Sequence, residues 1–330
     1  MASFGIATNY LAFPGIPRQT ANNPNRPAAT PMDTILNMKA FLATARSGSF
    51  SEAARQLSVA PSVVSKRVNQ LEWQLRSRLL ERTTRRVRLT EIGEQYLPTI
   101  RGIISEYDDL VAGMLRSPGE LEGHIRVKSP AALTNLHLGK VYTAFQRANP
   151  RVTLEVVLMD RSVNPIEEGF DVVLGLLPAS FEGVAEEAFM PYPRVACASP
   201  AYLEQRGHPK HPRDLSNHDC IVFQPAGSTW TFQSRRGPIS VQVRPKFSSN
   251  DIQVIVDAAK DGSGVTVLSK LISKEAIRSG ALVPVLPEFP LPDHWLKAFI
   301  PQSRVGLARV QALLAAVRSS FMPIPPWELP

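Results

Sequence analysis

The sequence predicts an α+β multidomain protein, in which a helical N-terminal part is followed by an α/β remainder. Between residues 35 and 114, apolar side chains recur at spacings of three and four, which is typical of amphipathic helices. From Gly123 onwards, short apolar runs alternate with helical stretches, which is typical of α/β architecture with largely parallel sheets. Of the net charge of +8, most lies between Lys66 and Arg88, where eight basic side chains face two acidic ones. This concentration favours an anionic partner for the helical part.

The two ends of the chain are predicted to lie outside the folded domains. Residues 1–31 contain five prolines and several asparagines, which predicts a disordered N-terminal extension, and residues 322–330 are predicted to form a proline-rich tail. Met32 precedes a clean amphipathic pattern, so the residues before it are expected to be dispensable. The chain has two cysteines without metal-ligand spacing, so we expect no metal, no cofactor and a cytoplasmic location. No apolar run approaches the roughly 20 residues of a membrane span, so no membrane partner is expected.

Residues 32–90 are predicted to form the first domain. Its first helix follows from apolar residues at helical spacing, namely Ile35, Met38, Phe41, Leu42 and Ala45. Gly48 ends that helix. Ser49 and Glu52 have the spacing of a capping box, in which each side chain bonds to the backbone of the other residue. Ala53 and Ala54 are small enough to let a second helix cross its neighbours closely.

A third helix is predicted to start at Pro61, because proline suits the first helical position. Val64, Val68 and Leu71 mark its buried face, and the opposite face carries short hydroxyls and long basic side chains. Two short strands (Leu79–Arg82 and Val87–Leu89) then flank a basic loop. This order predicts a winged helix-turn-helix, in which one helix lies in the DNA major groove.

Residues 32–115 resemble the N-terminal domain of LysR-type transcriptional regulators. The resemblance is carried by three stretches: AFLATARSGSFSEAARQL, VSKRVNQLE and LLERTTRRVRLTEIG. It implies sequence-specific binding to double-stranded promoter or operator DNA, with RNA polymerase as a further expected partner. The residues expected to contact DNA, from this resemblance and from the basic loop, are Pro61, Ser62, Ser65, Lys66, Arg67, Arg82, Thr83, Thr84, Arg85 and Arg86.

Two positions depart from the family pattern. Ala60 stands where the family usually has a serine or threonine cap, which would cost the third helix roughly 1 kcal/mol. Arg76 stands where the family usually has glycine. If that position needs a positive φ, the arginine is strained; alternatively, it adds a phosphate contact.

Residues 91–118 are predicted to form a linker helix. Its apolar residues follow a 3-4-3-4-3 spacing and would form a dimer seam: Leu97, Ile100, Ile104, Tyr107, Val111 and Met114. The run is short, and a stripe packed on its own domain would have the same spacing. The family resemblance favours the dimer seam and implies a homodimer or homotetramer.

Residues 122–321 resemble the effector domain of the same family, through FDVV, PRVACASPAYL, HPRDLSNHDCIVF and GALVPVLP. The resemblance implies an α/β fold of two lobes, similar to periplasmic binding proteins. The first lobe would contain residues 122–194 and 290–321, and the second would contain residues 195–289. A small-molecule effector would lie between them.

The expected effector site lies at strand ends and helix N-termini, where free N–H groups favour anions. Its candidate residues are Ser129, Ala131, Ala132, Leu133, Thr134, Gly175, Leu176, Ser199, Phe223, Asn250, Gly264 and Thr266. Ala132 and Gly175 stand where relatives often have serine and arginine, so polar contacts are lost there. Ser129 and Thr134 are either the compensating contacts or ordinary helix caps.

Two other functions are weighed against a ligand-controlled regulator. Ser129, His124, His137 and Asp160 are a conceivable hydrolase set, but the sequence has no GxSxG elbow, and we expect no enzyme. Cys197 and Cys220 allow a thiol-based redox sensor. Both cysteines lie in apolar runs, where buried structural thiols are expected instead.

Overall fold

The computed structural model describes residues 31–82, 87–115, 121–325 and 328, and within them the side chains of 34–81, 87–111, 121–325 and 328. The predicted extension up to residue 30, the loop 83–86 and the predicted end of the linker near residue 118 therefore lie outside the described residues. The N-terminal elements are α1 (Pro31–Ser47), α2 (Phe50–Gln56), α3 (Pro61–Gln74), β1 (Leu80–Arg82), β2 (Val87–Leu89) and α4 (Glu91–Leu115).

The first three helices and the hairpin share one apolar core. Phe41, Ala53 and Val68 are fully buried within it, and the two alanine positions of α2 let the three helices pack closely. Gly48 ends α1 with a φ of 64°, and its carbonyl accepts a bond from the Val87 amide, which ties the hairpin to the turn.

The helix caps explain where α2 and α3 begin. The Ser49 hydroxyl accepts the Glu52 amide at 3.4 Å, as predicted. Glu52 forms an ion pair with Arg55 instead, so only half of the predicted capping box is described. Ala60 gives α3 no side-chain cap, and Pro61 starts that helix.

The end of α3 settles the backbone question at Arg76. Arg76 has a φ of 51°, its amide donates to the Trp73 carbonyl at 3.2 Å, and the Ser77 amide donates to the Glu72 carbonyl at 3.0 Å. These two bonds define a Schellman motif, whose left-handed position normally holds glycine. Arg76 is therefore held in the strained conformation.

Strands of the C-terminal part are β3 (Gly123–Ser129), β4 (Val152–Leu158), β5 (Val172–Gly175), β6 (Val184–Tyr192), β7 (Arg194–Ala198), β8 (Cys220–Phe223), β9 (Thr229–Phe232), β10 (Ile239–Gln242), β11 (Pro245–Ser249), β12 (Thr266–Ser269), β13 (Val283–Pro284) and β14 (His294–Pro301). Its helices are α5 (Ala131–Leu133), α6 (Gly139–Ala148), α7 (Pro165–Glu168), α8 (Pro200–Arg206), α9 (Ile252–Lys260), α10 (Lys270–Arg278), α11 (Gln302–Val305) and α12 (Ala308–Ser319). A π turn (Thr134–Leu138) joins α5 to α6. Two 3-10 turns cover Pro212–Asn217 and Gln224–Ala226.

The strands form two lobes. A five-stranded sheet in the order β4-β3-β5-β14-β6 organises the first lobe, and a three-stranded sheet in the order β12-β7-β13 organises the second, with the pairs β11-β8 and β10-β9 beside it. The chain leaves the first sheet after Tyr192, enters the second at Arg194 and returns to the first at His294.

The five-stranded sheet is mixed and the three-stranded sheet is antiparallel, which corrects the expectation of largely parallel sheets. Strand β3 runs parallel to β4 and β5, but β14 is antiparallel to β5 and β6, and β12 and β13 are antiparallel to β7. The strands at the crossing between the lobes, β6, β7 and β14, all pair antiparallel with their neighbours. A helix-by-strand alternation therefore could not reveal their direction.

The linker helix α4 is joined to the first lobe by a buried cluster of charges. Asp109 on α4 forms ion pairs with Arg304 and Arg309, and Arg304 also pairs with Asp171 at 3.3 Å. Arg304 and Arg309 are 5% and 1% exposed, so their charges depend on these partners. We call these four residues the junction cluster. None of the helices in the described ranges combines the length and apolar composition needed to cross a bilayer.

Candidate nucleic-acid interface and inter-lobe cleft

The N-terminal half of α3 presents a polar face to solvent. Pro61, Ser62 and Lys66 are exposed, while Ser65 and Arg67 are half-buried beside the buried Val64 and Val68. Within the described ranges, Lys66 and Arg67 form no ion pair and no side-chain hydrogen bond. Their donors are therefore available to base edges or phosphates.

The hairpin is held against α3 by Glu72. Its Oε1 accepts the backbone amides of Leu79 and Leu80 at 2.9 and 3.0 Å, so one carboxylate fixes the entry into β1. The sequence offered Glu72 only as an acidic residue in a basic segment. Of the predicted wing contacts, the side chain of Arg82 and the whole of Thr83, Thr84, Arg85 and Arg86 lie outside the described residues.

The predicted dimer seam on α4 is partly buried within the chain itself. Ile100 and Ile104 are 3% and 7% exposed, and Ile100 belongs to the core of the N-terminal domain. Leu97 packs against that core. The Lys39 ammonium lies over the Tyr107 ring, with its Nζ 5.7 Å from the ring centroid. Both isoleucines are covered within the chain itself, which does not favour the predicted seam at these two positions. Val111 is exposed, and the side chain of Met114 is outside the described set.

A cleft of about 920 Å³, including its open mouth, separates the two lobes. Its walls are largely apolar. The first lobe contributes Pro130, Ala132, Leu133, Leu176 and Leu177, and the second contributes Ile221, Phe223, Trp230, Ile252, Val267 and Ile272. This size and composition are typical of small-molecule sites.

Of the described residues, three charged side chains line the cleft: Lys128, Asp160 and Arg194. Lys128 is 2% exposed, and its burial lowers the pKa to about 8. Burial also raises the pKa of Asp160, whose carboxylate accepts the Ala131 amide at 3.1 Å. Burial lowers the pKa of Arg194 to about 10, and burial next to Arg194 lowers that of His294 to about 4, so His294 is neutral near pH 7.

Four predicted effector residues line this cleft: Ala132, Leu133, Leu176 and Phe223. Ser129 and Thr134 do not. They are 0% and 6% exposed, their hydroxyls lie 2.6 Å apart, and Tyr142 donates to the Ser129 oxygen at 2.9 Å. Since both hydroxyls are occupied inside the first lobe, they cannot replace the polar contacts missing at Ala132 and Gly175.

The other predicted effector residues have local roles away from the cleft. Ser199 caps α8, Thr266 donates to the Ile221 carbonyl, and a side chain at Gly264 would collide with the Asp219 carbonyl. A side chain at Gly175 would meet the Phe299 ring. The last two of the predicted effector residues are Asn250 and Ala131. Asn250 is exposed just before α9, and the Ala131 amide donates to the Asp160 carboxylate.

Sequence reasoning did not assign the charged side chains to the effector site, and it named Asp160 only as a hydrolase candidate. A weak signal existed for Lys128, which lies at the end of a strand that is expected to be buried. A lysine is rarely buried there unless its charge is paired. The sequence carries no such signal for Arg194 and His294, because these residues come together only where two distant segments cross between the lobes.

Comparisons with known proteins agree with this geometry. The model of the "LysR substrate binding domain" matches residues 118–322, and that of the "Bacterial regulatory helix-turn-helix protein, lysR family" matches residues 35–94. The chain belongs to the LysR family of transcriptional regulators. It is 30% identical to the HTH-type transcriptional regulator DmlR of Escherichia coli over 87% of this chain and 94% of that protein. It is 29% identical to PtxR of Pseudomonas aeruginosa, over 86% and 91%.

Solved structures of LysR-type regulators share the fold. CrgA of Neisseria meningitidis matches with a TM-score of 0.53 and 28% identity, covering 86% of this chain and 98% of CrgA. The full-length virulence activator AphB of Vibrio cholerae matches with a TM-score of 0.56 and 20% identity, covering 86% and 98%. The predicted multidomain fold class, DNA binding and effector-binding domain are thereby confirmed, and proteins of this family bind DNA and small-molecule effectors as oligomers.

The two rival functions gain no support in this LysR-type chain. The Ser129 hydroxyl is bonded to Thr134 and Tyr142, while His124 lies by Glu155 and His137 by Ser320, so the four hydrolase candidates do not assemble. Burial raises the thiol pKa of Cys197 and of Cys220 to about 12. Both thiols therefore stay protonated, which does not favour redox sensing. Within the described ranges, no three metal-ligating side chains cluster.

Proposed function

We propose that this LysR-type regulator reads its operator with the exposed N-terminal face of α3, with the loop between β1 and β2 on the adjacent phosphates. The single observation that carries this proposal is a pair of basic side chains, Lys66 and Arg67, that have no ion-pair partner among the described residues. They stand beside the hydroxyls of Ser62 and Ser65. Hydroxyls and basic groups on one turn of a helix suit base edges and phosphates together. The protein acts as a cytoplasmic regulator and not as an enzyme.

The dimer forms through the exposed face of α4 instead of the predicted seam. Tyr96, Ile103 and Leu110 lie seven residues apart and are 48%, 41% and 58% exposed, and Ile92 continues the stripe at 40%. A heptad spacing of exposed apolar residues suits pairing with the same helix of a second copy. An Ile103→Asp variant should sediment as a smaller species than wild type, whereas Ile104→Val should leave the oligomer unchanged.

A small molecule in the inter-lobe cleft changes the angle between the lobes, and the junction cluster transmits that change to α4. The position of the junction cluster supports this transmission, because its ion pairs join Asp109 on α4 to Arg304 and Arg309 of the first lobe. A rigid ion-paired connection converts lobe rotation into a change in the spacing of two DNA-binding domains.

Footprinting of the full-length protein on DNA from its own upstream region tests this proposal. Two protected half-sites, separated by whole helical turns of about 10 base pairs, are expected from a symmetric dimer. A single protected site, or protection that ignores sequence, would contradict the proposed arrangement.

A further inference from the structure

The ammonium of Lys128 is buried with little compensation. It is 2% exposed, and its Nζ donates to the Leu174 carbonyl at 3.1 Å. Within the described ranges it has no carboxylate within 4.0 Å, although Asp160 is near enough to favour its charge. An ammonium carries three donors, so a buried cation here lacks the anionic partner that usually accompanies it.

The remaining charges of the cleft do not supply that partner. Asp160 already accepts the Ala131 amide, and Arg194 adds a second cation, whose Nη2 donates to the Pro292 carbonyl at 2.8 Å. The Nε of Arg194 is buried and has no partner among the described residues. With His294 neutral, the described side chains that line the cleft include two cations and one carboxylate, an excess of one positive charge. Asp293 favours the charge of Arg194 but does not line the cleft.

The rest of the cleft limits what can carry the balancing charge. Leu133, Leu176 and Phe223 are among its wall residues, and they offer contact area without hydrogen-bond partners. Uncharged polar side chains are fewer in the lining, and two of them, Tyr192 and Ser269, bond to each other. A ligand with several polar groups would leave them unsatisfied against these walls. A single anionic group joined to an apolar body satisfies both the charge and the walls.

We propose that the cleft binds a small monocarboxylate with an apolar body, and that Lys128 is the residue that holds its carboxylate. This inference deepens the proposed function, because it names the class of molecule that controls the regulator. Asp160 determines the preferred charge of the ligand. Its carboxylate limits the excess of positive charge in the cleft to one, which disfavours dianions.

Calorimetric titration of the full-length protein, without DNA, tests the charge class. The probes are benzoate, 3-phenylpropanoate, hexanoate and octanoate, each paired with its neutral amide, together with 3-phenylpropylamine and phenylsuccinate. At least one monocarboxylate should bind at least tenfold more tightly than its amide, the amine and the dianion. The inference is overturned if the tightest probe is neutral, cationic or dianionic, or if none of the four monocarboxylates binds at millimolar concentration.

Substitutions locate the anchor. Lys128→Met should weaken binding of the best monocarboxylate roughly 10- to 100-fold, while Lys128→Arg should retain most of it. Lys140→Met removes the same charge from an exposed position on the same lobe and should have no effect. Asp160→Asn should improve the binding of phenylsuccinate relative to 3-phenylpropanoate. Equal binding by wild type and Lys128→Met would show that the anchor is wrong.

Failure of this inference can be separated from failure of the proposed function. Lys128→Met should keep wild-type affinity for the upstream DNA, since Lys128 lies in the first lobe and not on α3. Loss of monocarboxylate binding with normal DNA binding therefore identifies the cleft. Normal monocarboxylate binding by a protein that ignores DNA would overturn the proposed function and leave the ligand class standing.

Discussion

The N-terminal domain and the inter-lobe cleft use positive charge in opposite ways. On α3, Lys66 is exposed and Arg67 half-buried, and both stand on a face whose other side is a regular apolar core. In the cleft, Lys128 is buried at the end of a strand and lines the space between the two lobes. The first arrangement attracts an extended polyanion through solvent, and the second selects one small anion by desolvating it.

Salt concentration should produce the largest difference between the two sites. Raising KCl from 50 to 200 mM should weaken binding to upstream DNA about 10³-fold or more, because counterions are released from each contacted phosphate. Binding of the best monocarboxylate should change less than about threefold, since a buried pair is poorly screened. Fluorescence anisotropy and calorimetry measure the two affinities. Equal salt sensitivity would contradict the distinction.

The junction cluster provides a third arrangement, in which buried charges are balanced by residues of the chain. Asp109→Ala should lower the free energy of unfolding by about 3 kcal/mol, because it leaves Arg304 and Arg309 short of a partner. The neighbouring Asp108 pairs with Lys39 at an exposed position, so Asp108→Ala should cost less than about 1 kcal/mol. Urea denaturation of both variants checks this. Similar costs would mean that burial at the junction is unimportant.

The cleft should be sensitive to pH in a way that follows from Lys128. Its pKa of about 8 means that the free protein loses the ammonium as the pH rises through 8, and an anion binds the protonated form. Asp160, Arg161 and Glu168 are the other charged groups that act on it, and Arg194, whose pKa is about 10, lines the same cleft. Monocarboxylate affinity should be constant from pH 6 to 7 and roughly 30-fold lower at pH 9.5.

The control for this pH dependence is Lys128→Arg, whose guanidinium stays charged in that range. Its affinity should stay nearly constant up to pH 9.5. A parallel loss in the arginine variant would assign the dependence to another group.

Arg76 tests whether an exposed cation of the N-terminal domain contributes to binding or only costs stability. Arg76→Gly should raise the free energy of unfolding by about 1 kcal/mol, because it relieves the left-handed conformation at the end of α3. Arg76→Ala removes the same charge but keeps the strain, so it should not gain that stability. Both variants should lose DNA affinity equally if the charge contacts phosphate, and neither should lose it if the residue is only strained.

The sequence was a good guide wherever the deciding interactions are local. The face of α3, the cap at Ser49 and the end of α1 at Gly48 all follow from spacing within one or two helical turns. The same local pattern is less informative on α4, because the spacing of apolar residues does not show which partner covers them. Ile100 and Ile104 have coiled-coil spacing, yet they pack inside their own chain.

The cleft could not be derived in the same way, because its residues converge from distant segments. Ser129 was a reasonable candidate at a strand end, but Tyr142, one helix later, occupies its hydroxyl. Lys128, the adjacent residue, lines the cleft instead. Side chains of consecutive strand residues point in opposite directions. The sequence pattern does not show which of the two buried polar neighbours, Lys128 or Ser129, points into the cleft.

DNA affinity of two single variants tests the central claim most directly. Full-length protein is titrated with duplex fragments from its own upstream region at 50 mM KCl, as wild type, Lys66→Ala, Arg67→Ala and the control Arg147→Ala. We predict tight binding by wild type and by Arg147→Ala, and losses of about five- to 150-fold for Lys66→Ala and Arg67→Ala. Failure of the wild type to bind, or affinities within twofold for all four proteins, would contradict the account.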